Sequence, residues 1–197
     1  MIKQILFDFG NVLVRFDPDH MTAPYVQDTA DRALVAEVVF DRLYWRQLDA
    51  GTISDEEVVR AVRSRLPARL QDVAEETYRS WFRHLPETDG MDALLRELHR
   101  RYPLYLLSNI SRGFAAYARN VPILRQFDAC IFSAVCGHTK PNADMFSYAC
   151  ETLAILPEET LFIDDSPKNI AGAEAYGIRG YLFDGDVQRL RAYLNAL

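Results

Sequence analysis

The stretch Ile5-Leu6-Phe7-Asp8-Phe9-Gly10-Asn11-Val12-Leu13 decides how the rest of the chain is read. Ile5, Leu6 and Phe7 form a short apolar run, the pattern of a buried strand, and Gly10 reads as the turn that follows. In open α/β sheets, ligands bind just beyond the carboxyl ends of the strands, which is where this pattern puts Asp8. A second acidic pair, Asp164-Asp165, ends another apolar run, Leu161-Phe162-Ile163. Two acidic strand ends so far apart in sequence imply a centre assembled from distant segments.

Working outward from Asp8, the strand signal stops until residue 104. Leu34, Val35, Val38, Val39 and Leu43 recur at helical spacing, so one amphipathic helix is expected over residues 31–48. Gly51-Thr52-Ile53 breaks it. Ser54 and Glu57 then form a capping box, in which cap hydroxyl and carboxylate satisfy each other's backbone N–H groups. The helix they open carries Val58, Val59, Val62 and Leu66 up to Pro67, and another carries Val73, Tyr78, Trp81, Phe82 and Leu85 up to Pro86. Residues 15–86 are therefore expected to be an inserted helical bundle, with residues 1–14 and 87–197 forming the other unit. Trp45, Tyr78, Trp81 and Phe82 read as packing between the helices of that bundle rather than as a ligand platform.

From Thr88 the texture alternates. A helix through Met91, Leu94, Leu95 and Leu98 leads to the strand Leu104–Leu107, and helices over 112–119, 142–153, 168–176 and 186–196 separate strands at 129–134, 160–163 and 180–183. Repeated strand–helix units of this length predict an α/β fold, a doubly wound, Rossmann-like parallel sheet with helices on both faces.

The 197 residues can bury a full core; 49% are hydrophobic and 25% charged, with a net charge of −6. That balance speaks against nucleic-acid or anionic-membrane partners, which want a basic face. Cys130, Cys136 and Cys150 are odd in number and lack metal-type spacing, so they read as small core residues in a reducing compartment. No stretch approaches the roughly 18 apolar residues of a membrane span. Asp8 interrupts the N-terminal run, which reads as a strand rather than a signal peptide, and a cytoplasmic location is expected.

Four strand ends carry polar groups: Asp8, Ser108-Asn109, Lys140 shortly after the third strand, and Asp164-Asp165. Each alone has a plainer reading, as a helix cap, a turn former or a solvated lysine. In a parallel sheet all four fall on one edge. Neighbouring carboxylates repel and need a cation to coexist, and an oxygen-only donor set without His or Cys selects a hard ion, best Mg²⁺. Such a set suits phosphoryl transfer: Lys140 and the ion against the transferring oxygens, Ser108 and backbone N–H groups as donors, and Asp8 as nucleophile forming an aspartyl-phosphate that water cleaves.

These motifs resemble those of the haloacid dehalogenase-like hydrolases, over essentially the whole chain. Phe7 to Leu13 is similar to the first motif of that superfamily, Leu107-Ser108-Asn109 to the second, Lys140-Pro141 to the third, and Phe162-Ile163-Asp164-Asp165-Ser166 to the fourth. Asn169 and Gly172 through Ile178 resemble the helix that follows it, and the helical insert resembles the α-helical cap of one subfamily. The resemblance implies that Asp8 is nucleophile and Mg²⁺ ligand, that the Gly10 carbonyl and Asp165 are further ligands, and that Asp164 ligates through water or stands behind. It implies that Ser108, Asn109 and Lys140, with the backbone at Phe9 and Gly10, hold the phosphoryl group, and that a small phosphorylated metabolite is the partner.

The chain departs from the common pattern at Gly10, where most phosphatases of the superfamily place a second Asp as general acid/base, a role worth about 10²–10⁴-fold. The Asp8-Phe9-Gly10-Asn11-Val12 pattern and the stretch Asp49 to Asp55 nevertheless resemble a bacterial branch of sugar-phosphate phosphatases that includes enzymes acting on glucose 1-phosphate. An anomeric leaving group would need less protonation, which suits a glycine there. Asp17 is a candidate substitute donor but reads better as a helix cap. Two alternatives remain: a non-catalytic binding protein of the same fold, motivated by Gly10, and a 2-haloacid dehalogenase, which needs no metal and against which the acidic pair speaks.

Overall fold

Residues 1–197 are described by a computed structural model, whose sheet has five parallel strands. The strands are β1 (Gln4–Phe7), β2 (Leu104–Ser108), β3 (Ala129–Phe132), β4 (Thr160–Asp164) and β5 (Arg179–Leu182), in the spatial order β3-β2-β1-β4-β5. Every neighbouring pair is parallel, as the alternating texture predicts. The chain runs outward from β1 to β3 and then returns to start again at β4. The order therefore reverses between β1 and β4, the point where such sheets bind ligands. Asp8 follows one of these two strands, and Asp164 ends the other.

Period-two alternation splits the core between the faces. Ile5, Phe7, Leu104, Leu106, Leu161 and Ile163 pack with α6 (Met91–Leu98), α7 (Arg112–Tyr117) and α11 (Val187–Asn195). Leu6, Leu107, Ile131 and Phe162 pack on the other face with α9 (Ala143–Leu153) and α10 (Pro167–Tyr176). Ile5, Leu6 and Phe7 are completely buried, each stabilising the fold by about 1.5–3 kcal/mol. Gly172 brings α10 against the loop after β3, since a Cβ there would lie 2.4 Å from the Pro141 carbonyl oxygen.

Between β1 and α6 lie α1 (Pro18–Thr22), α2 (Thr29–Val39), α3 (Trp45–Asp49), α4 (Asp55–Ser64) and α5 (Ala68–Ser80). They share a separate apolar cluster that includes Met21, Val35, Val59, Val62 and Ala74. The chain leaves and re-enters through one paired crossing, where Arg15 N donates to Pro86 O at 2.8 Å and Thr88 N to Leu13 O at 2.9 Å. The Ser54–Glu57 capping box is present, and Asp17 caps α1 by accepting from His20 N at 3.0 Å. Trp81 stacks on Phe114, ring centroids 6.1 Å apart, and links this cluster to the sheet's helices.

Three expected elements differ. The helix expected to carry Trp81, Phe82 and Leu85 up to Pro86 ends at Ser80, and Trp81–His84 form a 3₁₀ turn before the extended Leu85. The single helix over 31–48 is broken: α2 stops at Val39, Asp41 turns the chain by accepting from Leu43 N at 3.0 Å, and α3 begins at Trp45. Leu43, expected on the buried stripe, is 64% exposed in that turn. The third strand ends at Phe132, and Ser133–Cys136 form a short helix, α8.

Candidate active site

Asp8 is buried beyond β1, and its Oδ1 accepts from Ser108 Oγ at 3.0 Å. Lys140 Nζ lies 2.7 Å from that same Oδ1 and 2.7 Å from Asp164 Oδ2, one ammonium shared by two carboxylates. The lysine side chain is 1% exposed. Its position is over-determined. The Asn109 amide pins its backbone, accepting from Lys140 N and donating to Lys140 O, both at 2.9 Å, and Nζ sits 5.2 Å from the centre of the Phe162 ring.

The two members of the acidic pair differ. Asp164 has no exposed surface, and its oxygens take hydrogen bonds from Ser166 N at 2.8 Å and from Asn169 Nδ2 at 3.0 Å besides the lysine. It anchors Lys140 and the turn after β4. Asp165 is partly exposed to the cavity and accepts from Asn11 Nδ2 at 3.1 Å. Asn11 also accepts from Phe16 N at 3.1 Å, tying the fourth motif to the first residues of the insert. Its φ of 55° lies in the left-handed region, which asparagine tolerates better than most side chains.

Asp8, Asp164 and Asp165 can each bring an oxygen to within 4.8 Å of the others. Three acids and one ammonium leave an excess of negative charge. Burial raises Asp8 to about 6; Lys140 opposes that rise and Asp164 adds to it. Burial also raises Asp165, against the Asn11 hydrogen bond. For Lys140, burial alone favours the neutral amine, but Asp8 and Asp164 outweigh it and hold the ammonium above its ordinary range. Clustered carboxylates raised in this way fit a divalent cation. The donors with capacity to spare are Asp8, Asp165 and the Gly10 carbonyl, while Asp164 is saturated.

Asp8 and Asp165 open into a cavity of about 720 Å³ between sheet edge and insert. Asp8, Gly10, Asn11, Asp165 and Ser166 form its floor, and Phe16, Asp41, Arg42, Leu43, Trp45, Arg46 and Asp49 its far wall. A second pocket of about 340 Å³ adjoins it, walled by Trp45, Tyr78, Trp81, Phe82 and Phe114 beside Asn109. The aromatic residues expected only to pack thus also line a pocket.

The structure brings together Asp8, Ser108, Lys140, Asp164 and Asp165, all expected from their strand ends. Phe9 packs its ring 5.0 Å from that of Phe114, so only its backbone faces the site. Asn109, expected on the phosphoryl group, spends its amide on Lys140. Asn11, Asn169 and Asp49 carry site contacts that sequence reasoning did not assign. All three lie in stretches that carry the family resemblance, which was the available signal, although it assigned none of them a role.

The chain matches the haloacid dehalogenase-like hydrolase family model over residues 2–177 and belongs to that family. It is similar to the D-ribitol-5-phosphate phosphatase of Bacteroides thetaiotaomicron, 29% identical over an alignment of 180 positions that covers 86% of this chain and 86% of that protein. A sesquiterpene phosphatase of Aspergillus oryzae is 25% identical over 180 residues, 90% of this chain and 88% of that one. A haloacid dehalogenase family enzyme of Bacteroides thetaiotaomicron, in complex with magnesium and inorganic phosphate, shares the fold with a TM-score of 0.74 at 24% identity, covering 96% of this chain and 99% of that one. No helix is long and apolar enough to cross a membrane.

Proposed function

We propose that the chain is a Mg²⁺-dependent, cytoplasmic phosphatase of small phosphorylated metabolites, sugar phosphates such as glucose 1-phosphate among them, working through an aspartyl-phosphate on Asp8. The observation that carries this reading is the buried Lys140 ammonium shared at 2.7 Å by Asp8 and Asp164 at the point where the strand order reverses. The phosphatase activities of the relatives from Bacteroides and Aspergillus support it.

Asp8, Asp165 and the Gly10 carbonyl would hold Mg²⁺, with Asp164 behind them. The ion, when bound, would supply positive charge that screens the phosphate dianion. With a pKa of about 6, Asp8 is mostly ionised at neutral pH and competent as nucleophile. Lys140 neutralises charge on the phosphoryl oxygens, and Ser108 holds the Asp8 carboxylate in one orientation. Asn109 and Asp164 keep Lys140 in place, so no reorganisation is needed when charge develops. Residues 15–86 act as a cap that excludes water and selects the leaving group.

The test is phosphate release from a panel of sugar and polyol phosphates, with Mg²⁺ or EDTA, beside Asp8→Asn. Turnover is expected only for wild type with Mg²⁺. Turnover that survives EDTA or Asp8→Asn contradicts the mechanism. Gly10 favours a second reading, a non-catalytic binding protein, and phosphate binding without turnover across the panel would support that reading.

A further inference from the structure

Alkoxide leaving groups of polyol and primary-alcohol esters need a proton more than an anomeric oxygen does, and Gly10 has none to give. The space beside the nucleophile is open there: a Cβ built on Gly10 would meet nothing within 4 Å. Across the cavity stands Asp49, the last residue of α3. Asp49 and Trp45 alone line both the cavity of Asp8 and the adjoining aromatic pocket. Asp49 therefore stands between the nucleophile's cavity and the adjoining aromatic pocket.

The end of α3 is fastened to the sheet edge. Ser133 Oγ, fully buried, donates to Asp49 O at 2.6 Å. Gly51, with φ of +68°, brings the next turn so close that a Cβ would lie 3.1 Å from Ala134 O and 3.3 Å from Arg112 Nε. The backbone at Asp49 is fixed, while no hydrogen bond engages its carboxyl. The half-buried carboxyl is thus held at the cavity wall with its oxygens free to meet a ligand.

We propose that Asp49 is the general acid and base of this site, supplied by the helical insert in place of the missing acid at position 10; this rests on the phosphatase reading above. In the first step Asp8 forms an O–P bond, the bond from phosphorus to the ester oxygen breaks, and the Asp49 carboxyl gives its proton to that oxygen, releasing an alcohol. In the second step the Asp49 carboxylate takes a proton from water, whose oxygen attacks the aspartyl-phosphate. Inorganic phosphate leaves, and both carboxyl groups return to their starting states. Burial, with the facing Asp8 carboxylate adding to it and Lys140 opposing it, raises Asp49 to about 7, so much of it carries a proton near neutrality. Asp41 and Arg42 in the turn before α3, Arg46 on α3, Asp165 at the sheet edge, and Asp55 and Arg79 on the neighbouring helices complete the charged groups lining the two cavities around it.

The experiment compares wild type, Asp49→Asn and Asp49→Glu on two Mg²⁺-supported substrates, p-nitrophenyl phosphate and ribitol 5-phosphate. The aryl leaving group needs no proton and the alkyl one does. Asp49→Asn is expected to lower kcat/KM for the alkyl ester by about 10²–10⁴-fold and for the aryl ester by less than about 10-fold. A pre-steady-state burst of nitrophenolate should appear in this variant, because hydrolysis of the aspartyl-phosphate also loses its base. Asp49→Glu, which keeps an acid, should restore much of the alkyl-ester rate. Equal losses on both esters without a burst in Asp49→Asn, or no recovery in Asp49→Glu, would overturn the assignment. Absence of turnover of both esters by wild type would instead overturn the phosphatase reading and the Asp49 proposal with it.

Discussion

Replacing Lys140 with methionine keeps most of the side chain's bulk and removes one charge that two buried carboxylates share. The lysine, Asp8 and Asp164 side chains are 1%, 12% and 0% exposed, so water cannot take over the lost ion pairs. Asp164 keeps Ser166 N and Asn169, and Asp8 keeps Ser108. Deleting one partner of a buried pair costs about 3–5 kcal/mol. A chain of this size loses about 2–4 °C per kcal/mol, so Tm should fall by roughly 6–20 °C. The loss should depend on pH. Lys140 holds Asp8 down against burial, so without it the folded-state pKa of Asp8 rises beyond about 6. An acid raised in the folded state costs nothing below its unfolded pKa near 4 and increasingly more as pH climbs through the folded value. Calorimetry in EDTA should therefore show a wider Tm gap between wild type and Lys140→Met at pH 7.5 than at pH 4.5. A gap that is the same at both pH values, or a fall under about 3 °C, would refute the reasoning.

Other outcomes follow from the same geometry. Gly172→Ala puts a Cβ 2.4 Å from the Pro141 carbonyl oxygen, so α10 or the Lys140 loop must shift. A loss of about 1–3 kcal/mol is expected in denaturant unfolding, and kcat should fall because Lys140 moves with the loop. Burial raises Asp8 to about 6 and Asp49 to about 7, and it raises Asp165 as well. The folded state then binds these protons more tightly than the unfolded one, so their contribution to stability, full below about pH 4, fades as pH rises towards 7. In EDTA, Tm should decline between pH 5.5 and 7.5, and saturating Mg²⁺ should flatten the decline in the same melting experiment.

The sheet and most of the acids were legible because their signals are local. A short apolar run ending in a polar residue shows where Asp8, Ser108 and Asp164-Asp165 stand, and parallel topology puts those ends on one edge. The break between α2 and α3 was not legible. Helical periodicity continues through residues 40–44, and only the Asp41 carboxylate, by capturing Leu43 N, shows that the chain turns there. The different fates of Asp164 and Asp165 were also hidden. Adjacent residues in a strand end point to opposite sides, but which side holds Lys140 and Asn169 is a tertiary fact. Asp49 was invisible as a site residue for a related reason. Its place opposite Asp8 depends on Ser133 and Gly51 docking α3 onto the sheet edge, contacts that span 84 residues in one case.

The central claim is that Asp8 becomes phosphorylated during turnover. Rapid acid quench of the Mg²⁺-loaded protein with a ³²P-labelled sugar phosphate, followed by peptide mapping, tests it most directly. Label on the peptide carrying Asp8, formed within the first turnover and absent from Asp8→Asn, is the result expected. Turnover with no protein-bound label, or with label on a peptide lacking Asp8, would contradict it.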